Sequence, residues 1–344
     1  MQTIRYNKNM NELIIGLFYC GLPLYDNAKQ AYAQGTQLIG FPNIDPNEIN
    51  LYIYNIANNT IDTFNYEVTK QNRKLLLFNS FSAICNGNNS LFISGGEKAG
   101  NDPLQPEPLS LFYQISLENS NENNLGLIEL QELNVPRTWH SMIFVPPYYV
   151  FIVGGAGTKT VELYNTKKGT LEIDSELNEQ RSECSLCLVN NTHLYAFYGF
   201  LLHHTFVNSI ERCNLQRGKR TWEIVNLKCQ EDIVPSQSFF STFLCDDNKV
   251  ILLGESENEE DQPQNYIMNC GEEESTIAPY NGLDKQFSAI YREKFFIPIN
   301  NDSAALIPLI VEQVKVILLK NKVDENLNVY ECLAKMEEEE EEPQ

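Results

Sequence analysis

Phe151-Ile152-Val153-Gly154-Gly155 is an apolar run closed by two glycines, and Val161-Glu162-Leu163-Tyr164-Asn165 follows it as an aliphatic segment ending in Asn. The pairing recurs along the chain. Phe92-Ile93-Ser94-Gly95-Gly96 repeats the first half, and Gly40 leads Asn55, Gly199 leads Asn214 and Gly254 leads Asn269, each by fifteen positions. Marker glycines therefore fall at 40, 96, 155, 199 and 254, and a sixth apolar run, Phe295-Phe296-Ile297, ends at Pro298 instead. Spacings of 44 to 59 residues suit a unit of four short strands, which cannot bury both faces of its sheet alone and so stacks on copies of itself.

Each marker glycine closes a β-rich run preceded by a turn signal and another short strand. The second unit reads as a strand Phe81 to Cys85, a turn Asn86-Gly87-Asn88-Asn89 and a strand Leu91 to Ser94. Asn-Gly suits the positive φ of a tight hairpin. The third unit reads Ser141 to Val145, a turn at Pro146-Pro147, then Tyr149 to Val153. The fourth reads Ser185 to Val189, Asn190-Asn191, then His193 to Phe197, and the fifth Ser241 to Cys245, Asp246-Asp247-Asn248, then Lys249 to Leu253. Third strands end in Asn at Leu51 to Asn55, Val161 to Asn165 and Ile210 to Asn214, the last followed by a basic turn and Thr221-Trp222-Glu223-Ile224.

Strand, Gly-Gly, aliphatic-x-Tyr-Asn and a downstream Trp, in that order, resemble kelch repeats, as does Arg137-Thr138-Trp139-His140-Ser141 ahead of the third unit. The resemblance implies an all-β chain forming a single β-propeller over 30–320, with about six four-stranded kelch-like blades, or seven if Leu13 to Cys20 begins a degenerate extra one. Units one and five keep one glycine, unit four has Tyr198-Gly199 and unit six has Pro298, which forfeits a backbone donor and suits an edge or bulge. Closing the ring removes open sheet edges. Residues 1–29 are read as an N-terminal, ring-closing segment with a candidate strand at Leu13 to Tyr19, and Val314 to Leu319 as the competing final strand. Residues 321–344 are read as a short helix capped by Asp324 and an acidic tail containing Glu337 to Glu342.

A net charge of −21, from 46 acidic and 25 basic residues, repels phosphate backbones and anionic lipid, so neither nucleic acid nor membrane insertion is expected. Nine scattered cysteines suggest reduced thiols in a cytoplasmic compartment. Arg5 and Lys8 ahead of Leu13 to Cys20 resemble a signal peptide only superficially, because the apolar run is short and no small-residue cleavage site follows.

Antiparallel order places the second-to-third strand loops and the connections between units on one face. Glu97 to Pro108, Phe200 to Asn208, Glu255 to Gln264, Glu67 to Lys74 and Lys228 to Gln237 are the long ones. Long loops on a rigid scaffold carry binding, so this face is expected to hold protein partners within a hetero-complex. Its candidate residues are the apolar loop Phe200, Leu201, Leu202, His203, His204 and Phe206, with Arg137, His140 and Arg181 at the channel mouth if the kelch resemblance holds there. The competing role for those three is to bond loop carbonyls and hold neighbouring blades together. No cofactor or metal is expected: adjacent His203 and His204 point apart in an extended segment, Cys184 and Cys187 lie three apart on a strand and face opposite sides, and Gly154-Gly155-Ala156-Gly157 lacks the lysine and helix of a nucleotide loop.

The functional expectation is a non-enzymatic interaction scaffold. The kelch resemblance extends it to a subunit of a cytoplasmic or cytoskeletal assembly, the cilium included. The alternative it implies is a kelch-like sugar-handling enzyme, such as a sialic-acid mutarotase using Arg137, His140 and Arg181, or a copper radical oxidase, for which four histidines are few.

Overall fold

The computed structural model describes residues 6–7, 12–13, 48–55, 60–67, 82–87, 90–98, 107–116, 126–201, 205–229, 240–246, 248–254 and 265–279. These residues are all-β, and they build a series of antiparallel four-stranded sheets. The first sheet runs in the order β1 (Tyr6–Asn7), β2 (Glu12–Leu13), β3 (Glu48–Asn55), β4 (Thr60–Glu67). The second holds β5 (Ser82–Gly87), β6 (Ser90–Gly95), β9 (Phe112–Ser116) and β10 (Leu127–Glu129), and a separate hairpin of β7 (Glu97–Lys98) and β8 (Glu107–Pro108) is inserted between β6 and β9. The third is β11 (Ser141–Val145), β12 (Tyr149–Val153), β13 (Thr160–Asn165) and β14 (Thr170–Glu176). The fourth is β15 (Ser185–Val189), β16 (His193–Phe197), β17 (Ile210–Asn214) and β18 (Trp222–Ile224). The fifth sheet has an extra member: β19 (Leu227–Cys229) lies parallel on β23 (Ser275–Pro279), beyond β20 (Phe240–Asp246), β21 (Lys249–Gly254) and β22 (Tyr266–Asn269).

The chain divides into two compact units, one of Met1–Val225 with Pro235–Phe240 and one of Asn226–Val234 with Ser241–Gln344. In the first unit, β5, β11 and β15, the first strands of the second, third and fourth sheets, are successive neighbours. The first three strands of the third sheet are buried on both faces, which is why Met142 to Val145 and Val150 to Val153 read as continuous apolar runs rather than as alternation. Odd and even residues go to opposite sides. Met142, Phe144, Val150, Ile152, Tyr164 and Leu171 pack against Phe92, Phe112 and Leu133 of the second repeat. Ile143, Val145, Phe151, Val153, Val161 and Leu163 pack against Leu186, Leu194, Ala196, Cys213 and Trp222 of the fourth. At about 1.5–3 kcal/mol per large apolar side chain buried, these two interfaces are the principal stabilising contacts of the described region. The first is anchored by aromatics, with Tyr164 edge-on to Phe112 at 5.0 Å and to Phe92 at 6.2 Å.

The hairpins of the third and fourth sheets fall where the sequence puts them. Asn190 and Asn191 take φ of 53° and 54°, left-handed values that Asn tolerates better than most residues. In the second sheet the ladder runs further than expected: Asn86 pairs with Leu91 and Gly87 with Ser90, so the Asn-Gly pair belongs to the strand and two asparagines are left between the strands. The N-terminal expectation also shifts. Glu12 and Leu13 pair with Asn55 and Tyr54, so this segment occupies the second-strand place that sequence reading gives to the run ending at Gly40. The start of the connection Lys228 to Gln237 is strand β19, and the loop from Glu97 to Pro108 opens and closes as the β7–β8 ladder. The run ending at Gly40, the sixth apolar run, Val314 to Leu319, the C-terminal helix and the acidic tail lie outside the described residues.

Candidate functional site

The connection from β10 to β11 shows how these sheets are joined. Its backbone belongs to the second sheet: Arg137 N–H donates to the Leu109 carbonyl, and the Arg137 carbonyl accepts from Gly96 N–H at 3.0 Å. Its side chain belongs to the third. Arg137 Nη1 donates to the carbonyls of Gly154 (2.8 Å) and Thr160 (3.0 Å), Nη2 to Thr160 Oγ1 (3.0 Å) and Glu162 Oε1 (2.6 Å), and Nε to the Val135 carbonyl (3.2 Å). All five guanidinium donors are used. Glu162 answers by accepting from the backbone N–H of Asn134 and Val135 and from Asn134 Nδ2. Both charged side chains are fully buried.

The next connection repeats the device. Arg181 donates to the carbonyls of Tyr198 and Ser209, to Ser209 Oγ, and to Glu211 Oε1 at 2.7 Å. Glu211 accepts from Asn178 N–H, Asn178 Nδ2 and Glu179 N–H. The Arg181 carbonyl accepts from Gly155 N–H at 2.9 Å, as that of Arg137 does from Gly96. Arg181 Nε finds no protein acceptor. Unpaired buried charge is costly, whereas a paired and fully hydrogen-bonded one is tolerated, so each latch works only as a whole.

The first glycine of each Gly-Gly pair, Gly95 and Gly154, follows from the latch. Gly154 has φ +63°, and a Cβ there would collide with the Arg181 carbonyl oxygen; Gly95, at φ +64°, stands in the same relation to Arg137. At these two positions glycine suits the left-handed backbone and leaves room for the close approach of the next connection.

His140 is 2% exposed. Its Nε2 lies 2.8 Å from Ser94 Oγ, which donates in turn to Met142 Sδ. The other ring nitrogen, Nδ1, is left without a partner. Burial and the nearby Arg137 charge hold this imidazole well below its ordinary pKa, in the neutral form. Arg137, His140 and Arg181 therefore sit buried inside the joints between sheets, with both terminal nitrogens of each guanidinium bonded there.

The apolar loop is fastened to the same joint as Arg181. Ser182 and Phe200 exchange backbone hydrogen bonds of 2.8 and 2.9 Å, Leu201 N–H donates to the Thr205 carbonyl, and the rings of Phe200 and Phe206 pack with centroids 4.6 Å apart. Phe200 is buried, Phe206 half-buried and Leu201 exposed. Leu202, His203 and His204 lie outside the described residues. Cys184 joins the core between the third and fourth sheets and Cys187 is buried apart from it, both as free thiols. Among the described residues no group of three or more His, Cys, Asp or Glu side chains is placed to hold a metal, and no helix is long and apolar enough to cross a membrane.

No protein-family model matches the chain, and no curated protein matches it.

Sequence reading singles out the arginines and misses their partners. A signal is present: Asn134-x-x-Arg137 and Asn178-x-x-Arg181 share one spacing, and Glu162 and Glu211 each stand three residues before the strand-ending Asn. In the first, second and fifth sheets that place is taken by Tyr52, Tyr113 and Tyr266, so a buried carboxylate stands out only after the strands are aligned.

Glu183 follows Arg181 with φ 54°, and its N–H donates to the carbonyl of Trp139, which has φ 56° in the preceding connection. Burial pushes the Glu183 carboxyl up from 4.5 to about 7. The folded state thus holds a proton that the unfolded state has released, and the stability this group contributes below pH 4.5 is lost as pH rises to about 7. His140 works in the opposite sense: its folded pKa is depressed, so stability is lost as pH falls below the unfolded value of 6.5. Glu183→Gln is expected to remove the first effect, giving a higher Tm than the parent at pH 8 and a Tm that falls on acidification below pH 6.5. Thermal melts across that range check this.

Proposed function

We propose that the chain is a kelch-type β-propeller of about six blades, acting as a non-enzymatic protein-interaction scaffold in a larger cytoplasmic or cytoskeletal assembly, the cilium included. The observation that carries the reading is the repetition of one latch, a buried Arg bonded to two strand-end carbonyls and a buried Glu of the next sheet, at two successive joints whose first strands stand side by side. Such joints stack sheets face to face at a fixed angle, and a rigid stack with loops on one side is suited to presenting a composite surface. The loop fastened to Ser182, with Leu201 exposed, is on this reading part of the partner face, together with the β7–β8 insertion.

The commitment of Arg137, His140 and Arg181 to the joints supports a scaffold over the sugar-handling alternative, which relies on those side chains. The long-loop face takes protein, and the net charge of −21 disfavours nucleic acid and anionic membranes. The test is size fractionation of gently lysed cells, with mass spectrometry of the co-eluting proteins. Elution of the endogenous chain in a stable particle well above its own 39.4 kDa is the expected result. Elution as a lone chain, unchanged by lysis at low salt, would overturn the scaffold reading.

A further inference from the structure

The fifth sheet shows what the outer edge of this repeat accepts. β23 follows an Asn-terminated third strand, as β14 and β18 do, and β19 adds to it in parallel, with Leu227, Lys228 and Cys229 opposite Ser275, Thr276 and Ile277. The added strand is further tied by Ser275 N–H donating to the Asn226 carbonyl at 2.9 Å.

β14 presents the same edge without such a cover. It runs seven residues, Thr170–Glu176, and among the described residues no strand pairs with its outer side. Ile173 is 55% exposed. Asp174, the residue skipped in the register between β13 and β14, is bonded to Arg220 of the fourth repeat, and Ser175 accepts from Trp222 Nε1 at 3.1 Å. The end of β14 beyond Ile173 is thereby tied to its neighbour, and Thr170 to Ile173 remain as the open edge.

Charge along this edge is ordered. Lys167 and Lys168 stand exposed just before its start, Glu172 stands exposed within it, and Glu176, paired to Lys159 at 3.6 Å, lies beyond its end. A strand lying parallel to β14 would meet the lysines with its leading residues and the glutamates with its trailing ones. We propose that the outer edge of β14 is a strand-addition site that takes an extended segment of a partner protein in parallel. The segment would carry acidic residues first, a β-branched apolar residue over Ile173, and basic residues last. Main-chain hydrogen bonds supply affinity in this mode, and alternate side chains supply selectivity. The site exists whether or not the sheets close into a ring, so its failure and that of the scaffold reading are separate results.

The probe is a fluorescein-labelled peptide, Asp-Asp-Val-Thr-Val-Lys-Lys, titrated with the full chain and followed by anisotropy. Saturable binding is expected. Ile173→Arg should weaken it by about tenfold or more, a loss of about 1.4 kcal/mol, and Ile224→Arg on β18 should leave it unchanged. Reversing the charge order of the peptide should weaken binding, and N-methylation of its alternate amides should abolish it. The absence of saturable binding, or binding that survives N-methylation, would overturn the proposal. The methylated peptide decides the matter even if Ile173→Arg fails to fold.

Discussion

Glu211→Leu alone is expected to lower the unfolding free energy by about 3–5 kcal/mol, because it takes the carboxylate at 2.7 Å from a buried guanidinium and leaves only the half-exposed Glu179 carboxylate at 3.5 Å. Asn178 N–H and Glu179 N–H lose their acceptor at the same time, and Asn178 Nδ2 keeps only the Trp222 carbonyl. Arg181→Met alone should be damaging for the converse reason, leaving Glu211 buried and the carbonyls of Tyr198 and Ser209 short of a donor. The double variant Arg181→Met/Glu211→Leu should recover part of the loss, since similar-sized apolar side chains often replace a buried ion pair at little net cost. The chain itself shows that the place tolerates an uncharged residue: Tyr113 and Tyr266 occupy it in the second and fifth sheets, at 1% and 4% exposure. Urea titrations of the two single variants and the double give the coupling energy directly. A single-variant loss below about 1 kcal/mol, the size expected of an exposed pair, would show that the latch is not a structural joint.

Gly154→Ala is expected to be far more damaging than a single-methyl change at an open glycine. Its cost has two parts, and Gly157→Ala separates them. Gly157 has φ +79° with open space where a methyl group would be added, whereas Gly154 has φ +63° with the Arg181 carbonyl oxygen standing where its methyl group would go. Gly157→Ala therefore reports the backbone cost alone, about 1–2 kcal/mol. Gly154→Ala adds the displacement of the whole connection, about 1–3 kcal/mol more. Comparing the Tm of the two variants checks this; equal losses would mean that the connection yields freely and the glycine is there only for its φ. The fourth sheet illustrates the backbone part, since Tyr198 stands at the corresponding place with φ 48°.

Much of the fold is legible in the sequence because it rests on period and turn chemistry. The apolar runs ending in glycine, the Asn-terminated third strands and the Asn190-Asn191 turn each have a local physical cause, and Val161 to Asn165 and Ile210 to Asn214 fall within or on the observed strands. What escapes is non-local. Glu162 looks like an outward-facing residue in an alternating strand until Arg137 is brought to it from 25 positions away. β19 reads as loop because three residues with one lysine carry no strand signal; it is held by an edge that nothing in its own sequence announces. Glu12 and Leu13 pair with a strand far along the chain, and local periodicity cannot choose between them and the run ending at Gly40 for that place. The arginines are legible as residues and ambiguous in role, since surface binding and internal latching require the same side chain.

The repeated latch is expected to belong to a ring of sheets. Electron microscopy of the purified full-length chain, taken to class averages in which sheets can be counted, tests it most directly. The account expects a closed ring of about six sheets around a central channel, with the second, third and fourth in succession. An open row of sheets, or two bodies that vary in their mutual arrangement from class to class, would contradict it.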